Sequence, residues 1–274
     1  MGPAIIEVAL NGTTTKECNP HVPRSPAEIT SDALACIGAG ATIVHNHNDE
    51  PMWVHDGVHR AEPYLEAWRP ILERHPDVQL YATQASGGRG IAIETRWAHH
   101  AALARAGVLR VGLIDPGSVN LGDRVYVNTA PDARYAAERC AELGLTASVS
   151  IFDPSFLRAA LTLPLPPGTM IKLYFGGDAL PFGLPPTEPS LDAYLAMLDG
   201  SGLQWLVAVL GGDVVGCGLG ALALERGGHI RVGLEDHAGA RTPSNVELVQ
   251  EAAEAVAASG RRVVTAAETR ALLG

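Results

Sequence analysis

Apolar runs of five to seven residues recur along the chain, at 4–10, 42–46, 78–83, 109–114, 146–151, 170–174, 203–209 and 229–234. Most are rich in Val, Ile and Leu and end near Gly, Asn, Asp or Pro, a pattern that marks short buried strands. Between them the apolar residues fall into the three- and four-residue spacing of amphipathic helices. These are predicted at 26–38, 61–74, 93–106, 131–143, 154–161, 189–199, 214–226 and 244–259. Ser25-Pro26-Ala27-Glu28 reads as a capping box with proline at the first helical position, and Gly38 and Gly40 mark that helix's end. Ser244 and Glu247 repeat the box ahead of the last long helix. The tail, 261–272, reads as an extended piece and a short helix capped by Thr265.

Eight strands, each followed by a helix, predict an α/β fold of the (β/α)8 TIM barrel type. An open doubly wound sheet is the competitor, but the first strand leads into Asn11-Gly12-Thr13-Thr14-Thr15, which is not a Gly-rich phosphate loop. Gly38-Ala39-Gly40 precedes a strand, the wrong order for a dinucleotide site. No linker interrupts the alternation over the 274 residues, so one domain is expected, 1–274, with 261–274 as a C-terminal extension packed on the barrel.

Composition narrows the partners. A formal net charge of −10 opposes nucleic acid and anionic membrane surfaces as default ligands. No apolar run approaches the roughly 18 residues that a membrane span needs. The first residues lack a basic segment, and Glu7 interrupts their apolar run, so no secretory signal is expected. The four cysteines, Cys18, Cys36, Cys140 and Cys217, form no CxxC pair and fit reduced thiols in the cytoplasm. Glycine and proline, 30 and 19 residues, are scattered in short clusters and read as turns.

In a barrel the active site gathers at the C-terminal ends of the strands. His45-Asn46-His47 closes the second strand there, and residues two apart on a strand face the same side, so both imidazoles can address one ion. A catalytic zinc takes three protein ligands and keeps one open position. Glu235, just past the eighth strand, is the best third ligand, because strands one and eight are neighbours in a closed barrel. Asp236 follows as a base or orienter. Arg231, inside the barrel, needs an acidic partner such as Asp236 or an anionic ligand. Ser86-Gly87-Gly88 after the third strand offers backbone N–H groups to a carboxylate or phosphate. Asn11 after strand one, and Ser118 and Asn120 after strand four, are further polar groups at the same end. The remaining histidines, His21, His55, His59, His75, His99 and His100, fall in loops and helices and are expected at the surface, with His237 beside the ligands.

Together these segments resemble the β-keto acid cleavage enzyme family. Asn11-Gly12, Ser25-Pro-Ala-Glu28, His45-Asn-His47, Ser86-Gly-Gly88, Gly117-Ser-Val-Asn120, Gly227 to Asp236 (GGHIRVGLED) and Ser244-Asn245 carry the likeness. It implies a zinc-dependent barrel, one Zn2+ per chain on His45, His47 and Glu235, with Arg231 and Asp236 as a catalytic pair. It implies condensation of a β-keto acid with acetyl-CoA to give acetoacetate and a new acyl-CoA, and a homo-oligomer, tetramer or dimer. The chain departs from the family at three places. Asn48-Asp49-Glu50 replaces an Arg-Asp after the histidines, Thr14 stands where the aminohexanoate enzymes hold a substrate amine with glutamate, and Ser148 and Ser150 replace a glutamate near the end of strand five. A substrate without a cationic group near Thr14 follows. Arg89, Arg96 and Arg241 are candidates for CoA phosphates.

Two other classes compete. An amidohydrolase-type hydrolase also uses HxH, but usually after the first strand and with further histidines after strands five and six, where this chain has Ser150-Ile-Phe152 and Tyr174-Phe-Gly176. A barrel that binds metal or CoA without turnover is the non-enzymatic alternative.

Overall fold

In the computed structural model, residues 2–50 and 58–273 are described; His55 lies outside them. The eight predicted strands appear as Ile6–Ala9 (β1), Ile43–Asn46 (β2), Gln79–Ala82 (β3), Val111–Ile114 (β4), Thr146–Ile151 (β7), Met170–Gly176 (β8), Gln204–Leu210 (β9) and His229–Val232 (β10). All pair in parallel in the order β3-β2-β1-β10-β9-β8-β7-β4, with helices between them: a (β/α)8 barrel. Its seam lies between β3 and β4, where no ladder is formed among the described residues.

Side chains occupy that seam. The indole Nε1 of Trp97 donates to the Leu113 carbonyl at 3.1 Å, and His99 and His100 approach the Thr83 carbonyl with Nε2 at 2.7 and 3.0 Å. These three residues belong to the predicted helix 93–106, which the structure breaks at Trp97 into Ile93–Arg96 (α3) and Ala98–Arg105 (α4). His59, His99 and His100 are buried, against the expectation of surface positions. The Thr83 carbonyl that His99 and His100 cap follows β3, and such a carbonyl needs a donor wherever a ladder is missing.

Helices follow the predicted caps. Ser25 and Ser244 close full capping boxes on Pro26–Ala39 (α1) and Asn245–Ala258 (α9), each worth about 1 kcal/mol at the helix end. The helix predicted at 214–226 is shorter, Leu219–Glu225 (α8), because Asp213 caps a turn through Gly216 and Gly218 takes φ +83°. An antiparallel hairpin absent from the prediction, Val119–Leu121 (β5) and Arg124–Tyr126 (β6), rises after β4 around Gly122-Asp123. In the tail, Val263 bridges Ala4, and Thr265 caps the final helix, Ala266–Leu273 (α10). Arg261 ties the tail to the carbonyls of Gly2, Pro3, Leu224 and Gly228 at 2.6–2.9 Å. The tail thus lies at the end of the barrel opposite the strand C-termini.

Candidate active and metal site

Register brings distant residues together at the strand ends. β1 pairs with β10 on one side and β2 on the other, so Ala9 lies beside His45, and Glu7 beside Arg231. Asn11 fixes the loop after β2: its Oδ1 accepts from the His47 N–H at 2.8 Å, and its Nδ2 donates to the His47 carbonyl at 3.0 Å. Glu235 reaches the histidines across Gly12. A Cβ on Gly12 would meet the Glu235 Cγ at 2.4 Å, and its φ of +49° is itself a glycine conformation. Gly233 (φ +135°) makes the turn that lifts Glu235 and Asp236 off β10.

The result is a single convergent trio among the described residues. Ligand atoms of His45, His47 and Glu235 all lie within 4.8 Å of one another. His45 Nε2 is 3.2 Å from Glu235 Oε2, and His47 Nε2 is 3.5 Å from Glu235 Oε1. His45 Nδ1 faces the Tyr81 carbonyl at 3.1 Å. A carbonyl only accepts, so Nδ1 carries the proton and Nε2 presents a lone pair. Burial also pushes the His45 imidazole down to about 4, which keeps it neutral. Burial opposes the ionisation of Glu235, but the Arg231 guanidinium 3.2 Å away holds its carboxyl below the usual carboxylate range. A neutral nitrogen lone pair thus faces a carboxylate oxygen that has no hydrogen-bond partner. Two acceptors at contact distance repel unless a cation lies between them, and two histidines with one carboxylate are a zinc-type donor set.

Arg231 is saturated. Its Nε and Nη2 bind Asp236 at 2.7 and 3.0 Å, Nη1 donates to Glu7 at 2.9 Å and Tyr81 at 2.8 Å, and Nη2 also lies 3.2 Å from Glu235. Four of its N–H groups donate to Asp236, Glu7 and Tyr81 and the fifth faces Glu235 at ion-pair distance, so of the two roles open to it, Arg231 takes the acidic partner. Asp236 lines the cavity. Burial raises its carboxyl, Arg231 lowers it, and the nearby Glu235 and Glu7 reinforce the rise, which prevails. That moves the group toward the range where a base works near neutrality.

The cavity above this floor is about 440 Å³ and includes Thr14, His45, His47, Glu235 and Asp236 in its wall. Other expected contacts lie elsewhere. Asn11 is buried beneath His47. Ser86 accepts from Gly88 and Val127 N–H groups at 3.3 and 3.0 Å, and Gly87 N–H donates to the Val127 carbonyl at 2.7 Å, so this loop docks on the chain after β6. Ser118 Oγ bonds the Asn128 backbone at 2.9 and 3.0 Å, and Asn120 is exposed on the hairpin. Arg96 is buried against Asp132, Asn128 and the Ala85 carbonyl, and Arg241 pairs with Glu251 and Asp213. The structure gives neither arginine to a CoA phosphate. His237 lines the cavity beside Asp236, as expected.

Polar wall residues that the sequence reading passed over include Thr83, Asp115, Arg124, Tyr126 and Lys172. Lys172 and Glu7 carried a signal: each is a charge in the middle of an apolar strand run, and such a charge needs a partner inside.

A family model described as beta-keto acid cleavage enzyme matches residues 3–274. The "3-keto-5-aminohexanoate cleavage enzyme" of Fusobacterium nucleatum is 28% identical over 98% of this chain and 97% of its own. The "3-oxoadipate:acetyl-CoA acetyltransferase" of Cupriavidus necator is 30% identical over 99% of this chain and 95% of its own. Among solved structures, apo ObcA superposes with a TM-score of 0.73 at 19% identity, over 93% of this chain and 66% of that one. Among the described residues no helix is long and apolar enough to cross a membrane. With the family model spanning nearly the whole chain, and His45, His47, Glu235, Arg231 and Asp236 gathered at one end of a barrel, the chain belongs to the β-keto acid cleavage enzyme family.

Proposed function

We propose that the protein cleaves a β-keto acid at the expense of acetyl-CoA, releasing acetoacetate and the acyl-CoA of the remaining chain. The observation that carries this reading is one cavity wall holding both a metal-ligand trio and a carboxylate base orientated by arginine. His45, His47 and Glu235 would hold one zinc, which when bound polarises the substrate's oxygens and stabilises enolate charge. Asp236 takes the proton from the carbon between carboxylate and ketone. That carbon attacks the acetyl thioester, forming a C–C bond as CoA leaves as thiolate. The thiolate then adds to the original keto carbon, and the older C–C bond breaks. Acetoacetate leaves as its carbanion, which recovers the proton from Asp236. Arg231 holds Asp236 in place through both oxygens and compensates its charge while it is deprotonated.

The Thr14 side chain supports a substrate without an ammonium group at that place: its Oγ donates to the Leu234 carbonyl at 2.7 Å and brings no charge. Homo-oligomeric assembly and a cytoplasmic site rest on the family likeness, and light scattering reads the first. The test of function is a β-keto acid panel with and without acetyl-CoA. Acetoacetate formation that requires acetyl-CoA is expected, and equal turnover without it would place the protein among hydrolases. Asp236→Asn should keep the metal and lose about 100-fold or more in turnover.

A further inference from the structure

A β-keto acid brings a carboxylate, and the residue first expected to meet an anion, Arg231, has every donor engaged within the protein. Among the described residues, the lysine and arginine side chains on the cavity wall are Lys172 and Arg124. Arg124 stands on the outer hairpin, its side chain 56% exposed beside Asp123. Lys172 is different. It sits in the middle of β8, opposite Ser150 on β7 and Leu206 on β9, and is 1% exposed.

Its Nζ has three donors. One goes to the Tyr81 hydroxyl at 2.9 Å. The ammonium also lies over the faces of Tyr81 and Tyr174, at 4.5 and 5.7 Å from the ring centres. Among the described residues no carboxylate oxygen comes within ion-pair distance of it. Tyr81 in turn donates to Glu7 at 2.5 Å and stacks on His45 at 4.4 Å between ring centres. Lys172 is therefore one tyrosine removed from the metal-ligand trio and opens on the same space. A buried ammonium with unused donors is costly unless something anionic completes its shell.

We infer that Lys172 is the anion-binding residue of this cavity, taking the carboxylate of the β-keto acid while the keto oxygen points to His45, His47 and Glu235. This deepens the proposed function and rests on it for the identity of the ligand. Burial brings the Lys172 ammonium down to about 8. The groups facing it, Glu7 from β1, Tyr81 from β3, Asp115 after β4, Tyr174 on β8, and Arg231 and Glu235 from and after β10, leave it the cation nearest the open space. An incoming carboxylate would hold it in its protonated form.

The test separates anion recognition from folding and from turnover. Calorimetry compares acetoacetate with methyl acetoacetate, its uncharged ester, on protein loaded with one equivalent of zinc. Wild type should bind the acid at least tenfold more tightly. Lys172→Met should lose about 10- to 100-fold for the acid, the worth of a charged hydrogen bond, and bind the ester as wild type does. Unchanged ester affinity shows an intact cavity, which a merely structural role for Lys172 would not leave. A wild type indifferent to the ester's missing charge would overturn the proposal, whether or not the variant folds, and so would a Lys172→Met protein that keeps the preference. If the acid preference follows Lys172 while no keto acid gives acetyl-CoA-dependent acetoacetate, the anion site stands and the reaction assignment falls.

Discussion

Two pairs of histidines are buried in this barrel, and they do opposite things. His45 and His47 sit two apart at the end of β2, and His99 and His100 sit side by side in α4. Burial keeps His45 neutral and pushes His100 down to about 3 and His99 well below the usual range, so depressed basicity does not distinguish the pairs. Direction does. His99 and His100 both spend Nε2–H on the Thr83 carbonyl, and their rings pack with Tyr64, Trp97 and each other. His45 spends its proton at Nδ1 on Tyr81 and aims the other nitrogen at a carboxylate on the cavity wall. A metal ligand is a lone pair aimed at shared space. A structural histidine is a donor aimed at an orphan carbonyl.

The largest effect that can break this contrast is metal loss. His45→Ala or Glu235→Ala should reduce zinc from about one per chain to near zero, a loss of affinity beyond about 100-fold, read by atomic emission after dialysis. His100→Ala should retain full occupancy. Full zinc in the first two variants, or loss in the third, would reverse the assignment of the pairs.

Next comes stability. His100→Ala removes a buried ring stacked on Trp97 at 4.8 Å and a donor to the barrel seam, and should cost about 2–4 kcal/mol in urea unfolding. His45→Ala, measured without metal, should cost less, because the same change removes a lone pair that faces Glu235. An equal or larger cost would mean that the seam does not depend on the histidine donor.

The contrast also says what could be read along the chain. The ligand trio was legible because HNH and ED each end an apolar strand, and strand ends meet in a barrel. The saturation of Arg231 was not, because closing the barrel makes strands one and eight neighbours without fixing their register, and only the register sets Glu7 beside Arg231, 224 positions away. His99 and His100 looked like surface residues because a continuous helix at 93–106 leaves them no reason to be inside. The break at Trp97 supplies the reason by aiming three donors at β3 and β4. The hairpin carried a short signal, Gly122-Asp123 between two three-residue strands. Strands of three residues are too short for alternation to mark them.

Acid should expose both pairs together. Burial brings His45 and His229 down to about 4 and His100 to about 3, whereas the unfolded chain protonates histidine near 6.5. Below about 6.5 the unfolded state therefore binds protons that the native state refuses, and stability falls as pH drops through 6.5 toward 4. The metal-free protein should show that slope in thermal melts from pH 7 to 4. Zinc should raise the melting temperature at pH 7 and lose its effect toward pH 4, as protons compete with the metal for its ligands. His100→Ala should flatten the slope without altering the zinc increment. A zinc increment that vanishes in His100→Ala would couple the two pairs and dissolve the distinction between them.

The smallest effect tests how far the ligand side reaches. Thr14 lines the cavity, but its hydroxyl donates to the carbonyl of Leu234, the residue before Glu235. Thr14→Val keeps the shape and removes that donor. The peptide that carries Glu235 then loses one of its anchors, while Gly12 still leaves the carboxylate its path and the Glu235 N–H still donates to the Ala9 carbonyl at 3.2 Å. Zinc affinity should fall by up to about tenfold in competition with a chelator, the range of a residue that positions a ligand without touching the ion. Affinity for the keto acid, measured at saturating zinc, should stay within about twofold, because a hydroxyl committed to the backbone has little left to give a substrate. The reverse pattern, with zinc unchanged and keto acid weakened, would release Thr14 from Leu234 and return it to the substrate. It would also confine the ligand-positioning shell to the atoms that touch His45, His47 and Glu235 directly.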